Sequence, residues 1–237
     1  MTQKPSNKPK ARIGTRIRGQ MAAAYEARGE TAGDLYLHFS SKMKMDVVLS
    51  GRLSYLHFLL VERDPGVDQV DYAPSGRLAT LMGKEPAELV DAEIKTTAGE
   101  VVWRRLIDKE ADDTEAVRDL REAIGKGALR GVNRLEVLTF KQLVAEDTWT
   151  RNTHRALAWI AAARSHPLSQ PKQDILALLK TGRAVSFQDC LELGAGQAQA
   201  LYGAAVLQMA LNGAVQSDLG VAPLTARTRF TARREGH

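Results

Sequence analysis

The chain has 237 residues, a formal net charge of +5 and 44% hydrophobic residues, with a pI of about 9.4. No apolar run approaches the roughly 18 residues of a membrane span, and the N-terminal stretch has no apolar signal segment, so we expect a cytoplasmic protein without membrane spans. The single cysteine, Cys190, excludes an intramolecular disulfide and a zinc site built from several cysteines.

Both ends of the sequence are basic. No acidic residue precedes Glu26, and prolines at positions 5 and 9 favour an extended basic arm, which we place at residues 1–19. Contacts between such cations and phosphates add salt-dependent affinity, so the basic ends fit a partner that carries phosphates; a tail that only increases solubility is an equally good alternative. The candidate DNA-binding residues are Lys4, Lys8, Lys10, Arg12, Arg16, Arg18, Arg227, Arg229, Arg233 and Arg234.

The first half of the chain changes from helical to strand periodicity. Leu53, Leu56 and Leu60 recur at helical spacing, and Pro65 follows the end of that pattern. We therefore predict a helix at 50–63, followed by a three-stranded antiparallel meander. In chain order the predicted elements are a helix at 20–28, a strand at 35–39, an apolar stretch at 47–49, the helix at 50–63, and strands at 67–72, 77–82 and 89–95.

The last strand of that meander combines acidic and basic residues. Asp91, Glu93 and Lys95 lie on one face because side chains alternate along a strand, and the apolar residues between them lie on the other. In Mg²⁺-dependent nucleases a carboxylate on such a strand holds the metal, and a lysine two residues later orients the attacking water. Glu93, Lys95 and Asp91 are therefore candidate catalytic residues, with Glu93 and Asp91 as metal ligands; a solvated edge strand is the alternative.

The second half continues as an α/β core and then becomes mostly helical. A helix at 111–125, a strand at 134–139 and a helix at 149–164 complete a central mixed sheet flanked by helices. Two prolines in the stretch 165–171 mark a linker between a domain at 20–164 and one at 172–237. The second domain has predicted helices at 172–180, 187–193 and 197–211, and a hairpin formed by strands at 215–219 and 227–232.

Three helices followed by a hairpin favour a winged helix, and a plain helical bundle is the alternative. In a winged helix, the long helix at 197–211 is the element that enters a major groove. This stretch has no lysine or arginine, however, so contact with a protein is an equally good interpretation.

Several short motifs, in order, resemble the TnsA-type endonucleases of heteromeric cut-and-paste transposons over about residues 36–230. The resemblance implies a restriction-endonuclease-like domain followed by a winged helix, Mg²⁺-dependent cutting of the 5′ strand beside the element, and partnership with an integrase-like transposase and an AAA+ ATPase regulator. It depends on Phe39-Ser40-Ser41-Lys42-Met43, Ser50-Gly51-Arg52-Leu53, Glu62-Arg63-Asp64-Pro65-Gly66-Val67, Tyr72-Ala73-Pro74, Glu93-Ile94-Lys95, Arg151-Asn152, Val215-Gln216-Ser217-Asp218-Leu219, Ala222-Pro223-Leu224 and Thr228.

The sequence departs from the family pattern at two metal-binding positions. The family has a glutamate where this chain has Ser54, and an aspartate on the middle strand where the predicted strand at 77–82 offers only residues such as Thr80. Two of three expected carboxylates are thus absent. His57, one turn after Ser54, is interpreted as a packing or surface residue rather than a base.

Three functions remain open from the sequence. The first is a TnsA-like protein that binds transposon ends and its partners with an inactive nuclease core. The second is an active Mg²⁺-dependent endonuclease that uses Asp91 and Glu93 as relocated ligands together with Lys95. The third is a DNA-binding regulator that reuses the fold.

Overall fold

A computed structural model of the chain describes residues 34–72, 89–109, 114–129, 131–145 and 147–233. Four of the sequence predictions lie outside these residues: the basic arm at 1–19, the helix at 20–28, the strand at 77–82 that includes Thr80, and the arginine at position 234.

The described chain begins with a hairpin that leads directly into a helix. Strands β1 (Leu35–Ser40) and β2 (Met45–Ser50) pair antiparallel. Helix α1 (Gly51–Arg63) follows without a loop. The predicted strand at 35–39 and helix at 50–63 are confirmed, and the apolar stretch at 47–49 lies within β2.

A four-stranded mixed sheet forms the centre of the first half. Its strands stand in the order β3 (Val67–Asp71), β4 (Ala92–Thr96), β5 (Val101–Ile107) and β6 (Arg134–Thr139). β4 is antiparallel to both β3 and β5, and β6 is parallel to β5. Helix α2 (Glu115–Gly125) connects β5 to β6. The prediction of a mixed sheet flanked by helices is confirmed.

The predicted order of the meander is wrong, because β3 and β4 are hydrogen-bonded neighbours with no strand between them. The third strand of the meander is β5, which the sequence analysis did not identify. Two charged residues at its centre, Arg104 and Arg105, interrupt the apolar pattern that would have predicted a strand. Both are at least half buried, and each is paired with a carboxylate. The Glu93-Ile94-Lys95 motif therefore lies on the middle strand of the meander rather than on its last strand.

Helices cover both faces of this sheet. On one face α1 and β3 contribute to an apolar cluster with β4 and β5, and on the other α2 packs on β5 and β6. The first cluster contains Val61, Val67, Val70, Ile94 and Val102. The second contains Leu89, Val90, Trp103, Val117, Leu120, Ile124 and Leu135.

The second half is mostly helical and ends in a small sheet. After α3 (Phe140–Val144) and α4 (Asp147–Ala162), helix α5 begins within the predicted linker. After α4 there are three helices, and the third of them is followed by two strands where a helical bundle would need another helix. The elements are α5 (Ser169–Leu179), β7 (Val185–Ser186), α6 (Phe187–Leu193), α7 (Gln199–Leu211), β8 (Val215–Ser217) and β9 (Arg229–Ala232), with the strand order β7-β9-β8 and antiparallel pairing.

The two halves share one apolar core around α7. Residues 204–207 of α7 are fully buried. They belong to a cluster that also contains Phe58 of α1, Ile160 of α4 and Phe230 of β9. A Cβ at Gly203 would stand 2.8 Å from the ring of Trp159, so only glycine permits this close approach of α7 to α4. Despite this apolar helix, none of the helices in the described ranges combines the length and the hydropathy of a membrane span.

Candidate functional site

Asp91 is held by β5 at the start of β4. Its Oδ2 accepts hydrogen bonds from the backbone N–H of Leu106 at 2.7 Å and from Arg105 Nη1 at 3.3 Å. Burial raises the pKa of the Asp91 carboxyl, and this outweighs the Leu106 hydrogen bond and the Arg105 charge, which both lower it. The carboxylate thus joins the middle strand to the last strand of the meander.

Glu93 lies on the same strand face as Asp91 but has a different partner. Its Oε2 accepts a hydrogen bond from Trp103 Nε1 at 3.0 Å. Lys95, two residues further along, is exposed. The predicted alternation is confirmed, because Ala92 and Ile94 between these residues are fully buried.

These carboxylates do not fit a Mg²⁺ site as they stand. Magnesium requires several oxygen ligands in near-octahedral order, yet Asp91 binds Arg105 and Glu93 binds the indole of Trp103. Within the described ranges, no group of three or more histidine, cysteine, aspartate or glutamate side chains is arranged to hold a metal ion.

The opposite sheet face, beneath α1, carries a network of arginines and glutamates. Arg104 Nε donates to Glu136 Oε2 at 2.9 Å, and Arg134 Nε donates to the other oxygen of Glu136 at 2.9 Å. Burial alone would raise the pKa of Glu136, but the two arginines lower it below its usual value. Ser54, where the sequence resemblance would place a glutamate, is partly buried on α1 and is not a carboxylate.

His57 is a buried, neutral packing residue on the same face. Its side chain lies 1% exposed, and Nε2 is 3.4 Å from Arg104 Nη1, so the imidazole nitrogen accepts from the guanidinium. Burial, with a smaller contribution from Arg104, lowers the pKa of His57 to about 3. The packing interpretation of His57 is confirmed.

We expect His57 to make the protein less stable in mild acid. As the pH falls below about 6.5, His57 of the unfolded state binds a proton, whereas the buried imidazole of the folded state stays neutral until the pH approaches about 3. The free energy of unfolding therefore decreases as the pH falls through this window. The loss amounts to about 2 kcal/mol between roughly pH 7 and pH 5. Urea unfolding of the native chain, of His57→Leu and of the exposed control His166→Gln measures it; an unchanged pH dependence in His57→Leu would contradict the prediction.

The residues of the first family-like block contact one another, which the sequence analysis did not foresee. Glu62 is fully buried, and its carboxylate accepts hydrogen bonds from Ser40 Oγ at 2.5 Å, Ser41 N at 2.8 Å and Ser41 Oγ at 2.7 Å. Lys42 Nζ donates to the carbonyls of Asp64 and Val67. These contacts hold the β1–β2 turn against the end of α1. The sequence feature that could have indicated them is an acidic residue at a helix position that faces the core.

The second pair of family-like segments also meets in the structure. Asn152 of α4 is 1% exposed, and its Nδ2 donates to the carbonyls of Leu219 and Ala222, each at 2.7 Å. Its Oδ1 accepts from the backbone N–H of Leu224 at 2.8 Å. One side chain therefore orders the long loop between β8 and β9.

The predicted C-terminal DNA-binding arginines lie on this loop and its strand. Arg227, Arg229 and Arg233 are exposed, and Arg233 Nη1 donates to the carbonyl of Gly213. Helix α7, in contrast, is exposed only at Gln199 and Ala200 and packs on α4, α5 and α6. The hairpin thus offers cations to a ligand, and the long helix is used for internal packing.

In comparison with known proteins, the sequence matches no protein-family model and no curated protein. The order of the elements and the contacts of the site residues are therefore the basis for a functional proposal.

Proposed function

We propose that this chain is a TnsA-like DNA transposition protein that acts at transposon ends with an integrase-like transposase and an AAA+ ATPase regulator. In this proposal the nuclease-like core is a scaffold and does not cut DNA. The observation that supports it best is the order helix, three antiparallel strands, helix and parallel strand in one sheet, which is the order expected of the restriction-endonuclease-like domain. Fold alone does not define function, so the proposal also depends on the site.

The site supports an inactive core. With β4 as the middle strand, Asp91 is the carboxylate that best corresponds to the middle-strand ligand of the family. The last strand offers Arg104 and Arg105 in place of a carboxylate and a lysine. Guanidinium groups at these positions repel a divalent cation, and Arg105 already neutralises Asp91.

DNA contact is assigned to the cations outside that core. We propose that the second half is a winged helix in which the β8–β9 hairpin, rather than α7, approaches the phosphates. Its exposed arginines suit sequence-independent backbone contacts, and the buried α7 leaves no long face for reading bases. The basic arm would add further salt-dependent contacts.

The relocated-ligand endonuclease is less well supported. It requires Asp91 and Glu93 to converge on one metal ion, although each carboxylate has a separate donor from β5. A DNA-binding regulator shares the inactive core, and it differs from the transposition protein in having no transposase partner.

We expect no metal-dependent nicking of supercoiled plasmid by the native chain with Mg²⁺ or Mn²⁺, alone or with a transposase encoded beside it. Glu93→Ala should behave like the native chain in this assay, as should the exposed control Glu115→Ala. Metal-dependent nicking that Glu93→Ala and Asp91→Ala abolish, and Glu115→Ala retains, would show an active endonuclease.

Binding assays separate the two inactive alternatives. The transposition proposal predicts that the purified chain binds duplex DNA and is retained by the tagged neighbouring transposase. Binding to DNA with no retention by the transposase would favour the regulator.

A further inference from the structure

A cleft of about 840 Å³ lies where the β1–β2 turn meets the junction of α4 and α5. Its wall is formed by the segment that the sequence predicted as a linker, by the hairpin turn and by Gln208 of α7. Asp91, Glu93 and Lys95 are not among its lining residues, and the proposed function does not assign it a role.

The lining of the cleft is cationic. Lys44, Arg164 and Lys172 contribute three cationic side chains, and Asp46 is the single carboxylate among the described lining residues. Asp46 accepts a hydrogen bond from Arg164 Nη1 at 2.7 Å, so it neutralises one cation only.

Lys172 is a partly desolvated cation in the wall of the cleft. Its side chain is partly buried, and burial lowers the pKa of its ammonium without an offset from any carboxylate among the described residues. A desolvated cation without a partner costs free energy, and a bound anion removes that cost. Lys44 is exposed at the rim of the same cleft, on the β1–β2 turn.

The other lining groups suit phosphate oxygens better than a base. Ser165 and Ser169 place hydroxyl groups in the wall, and hydroxyls donate readily to phosphate. The phenyl ring of Phe39 in the lining has the guanidinium of Arg164 over it, at 5.7 Å from the ring centroid, so this face does not stack on a base. The volume of the cleft exceeds that of one phosphate group.

We propose that this cleft binds consecutive phosphates of the DNA backbone, with Lys44, Arg164 and Lys172 as the phosphate-contacting residues. The proposal rests on the proposed function, because it adds to the β8–β9 hairpin a second surface by which the chain holds DNA. Binding there is independent of base sequence, since the contacts go to phosphates.

The test measures DNA affinity of the full-length chain across a series of NaCl concentrations, by fluorescence anisotropy of a labelled duplex of arbitrary sequence. Each phosphate contact contributes roughly 0.9 to the slope of log K against log salt, so Lys44→Gln/Lys172→Gln should lower the slope by about two. The charge-matched control Lys141→Gln/Lys180→Gln, at exposed lysines outside the lining, should keep the native slope. Lys172→Arg should restore most of the affinity lost in Lys172→Gln, and thermal melts show that each variant is folded.

The possible failures differ from one another. If the native chain binds DNA and the double variant shows the same slope of log K against log salt, the cleft does not bind the phosphates and the proposed function still holds. No DNA binding by the native chain overturns both. Stabilisation by inorganic phosphate that the double variant loses, without any effect on DNA affinity, would assign the cleft to a small phosphate ligand and overturn the DNA backbone as its occupant.

Discussion

Replacing Asn152 with alanine is expected to destabilise the protein by about 2 to 4 kcal/mol, because three backbone groups of the loop between β8 and β9 lose their side-chain partner at once. They are the carbonyls of Leu219 and Ala222 and the N–H of Leu224, and most of the cost is expected at Leu219, which is fully buried, whereas Leu224 is partly buried and Ala222 is exposed. The loop should loosen before the helices unfold.

Urea unfolding followed by tryptophan fluorescence measures this loss, since the Trp149 ring lies close to Gly220 of the same loop. Asn212→Ala removes an exposed asparagine and should change stability by less than about 0.5 kcal/mol. Asn152→Asp keeps the acceptor for Leu224 but removes both N–H donors, so it should destabilise nearly as much as alanine. A cost below about 1 kcal/mol for Asn152→Ala would show that the loop is held by other contacts.

Replacing Glu62 with alanine is expected to cost about 3 to 4 kcal/mol. The carboxylate is fully buried and accepts from Ser40 Oγ, Ser41 N and Ser41 Oγ, so its removal leaves three donors unpaired and creates a cavity beneath the β1–β2 turn. The ammonium of Lys42 donates to two carbonyls at the end of α1, and these hydrogen bonds should keep part of the turn in its native position.

Two control variants make the origin of this loss clear. Glu62→Gln keeps the volume and one acceptor oxygen, and it should cost about half as much as alanine because one donor still finds an oxygen. Glu192→Ala removes a carboxylate whose hydrogen bond to Gln188 is exposed, and it should cost less than about 1 kcal/mol. Equal stability of Glu62→Ala and the native chain in urea unfolding would contradict a structural role for this network.

The Asn152 and Glu62 contacts give a structural role to two of the segments on which the sequence resemblance depends. Glu62 joins the first block to itself, and Asn152 joins α4 to the closing segment over a separation of about seventy residues. Both serve the structure. The resemblance noted in the sequence thus includes residues that hold the fold together as well as residues at the positions of a metal site.

Local periodicity was enough to predict much of the first half. The helical spacing of leucines led to α1, and alternation placed Ala92 and Ile94 in the core with Glu93 and Lys95 on the other face. It failed at β5, where Arg104 and Arg105 interrupt the apolar pattern. Those arginines are tolerated in a central strand only because Glu136 and Asp91 pair with them, and neither carboxylate is near them in the sequence.

The sequence by itself determined the mixed α/β class of the fold, the helical or strand character of most segments and the side of each predicted strand that faces the core. These properties depend on neighbours a few residues away in the chain. Only the tertiary structure decided which strands are adjacent, that Asp91 and Glu93 have separate partners on β5, and that α7 is buried against α4. These features depend on contacts between residues distant in the chain, and the periodicity of neighbouring residues does not show which distant residues meet.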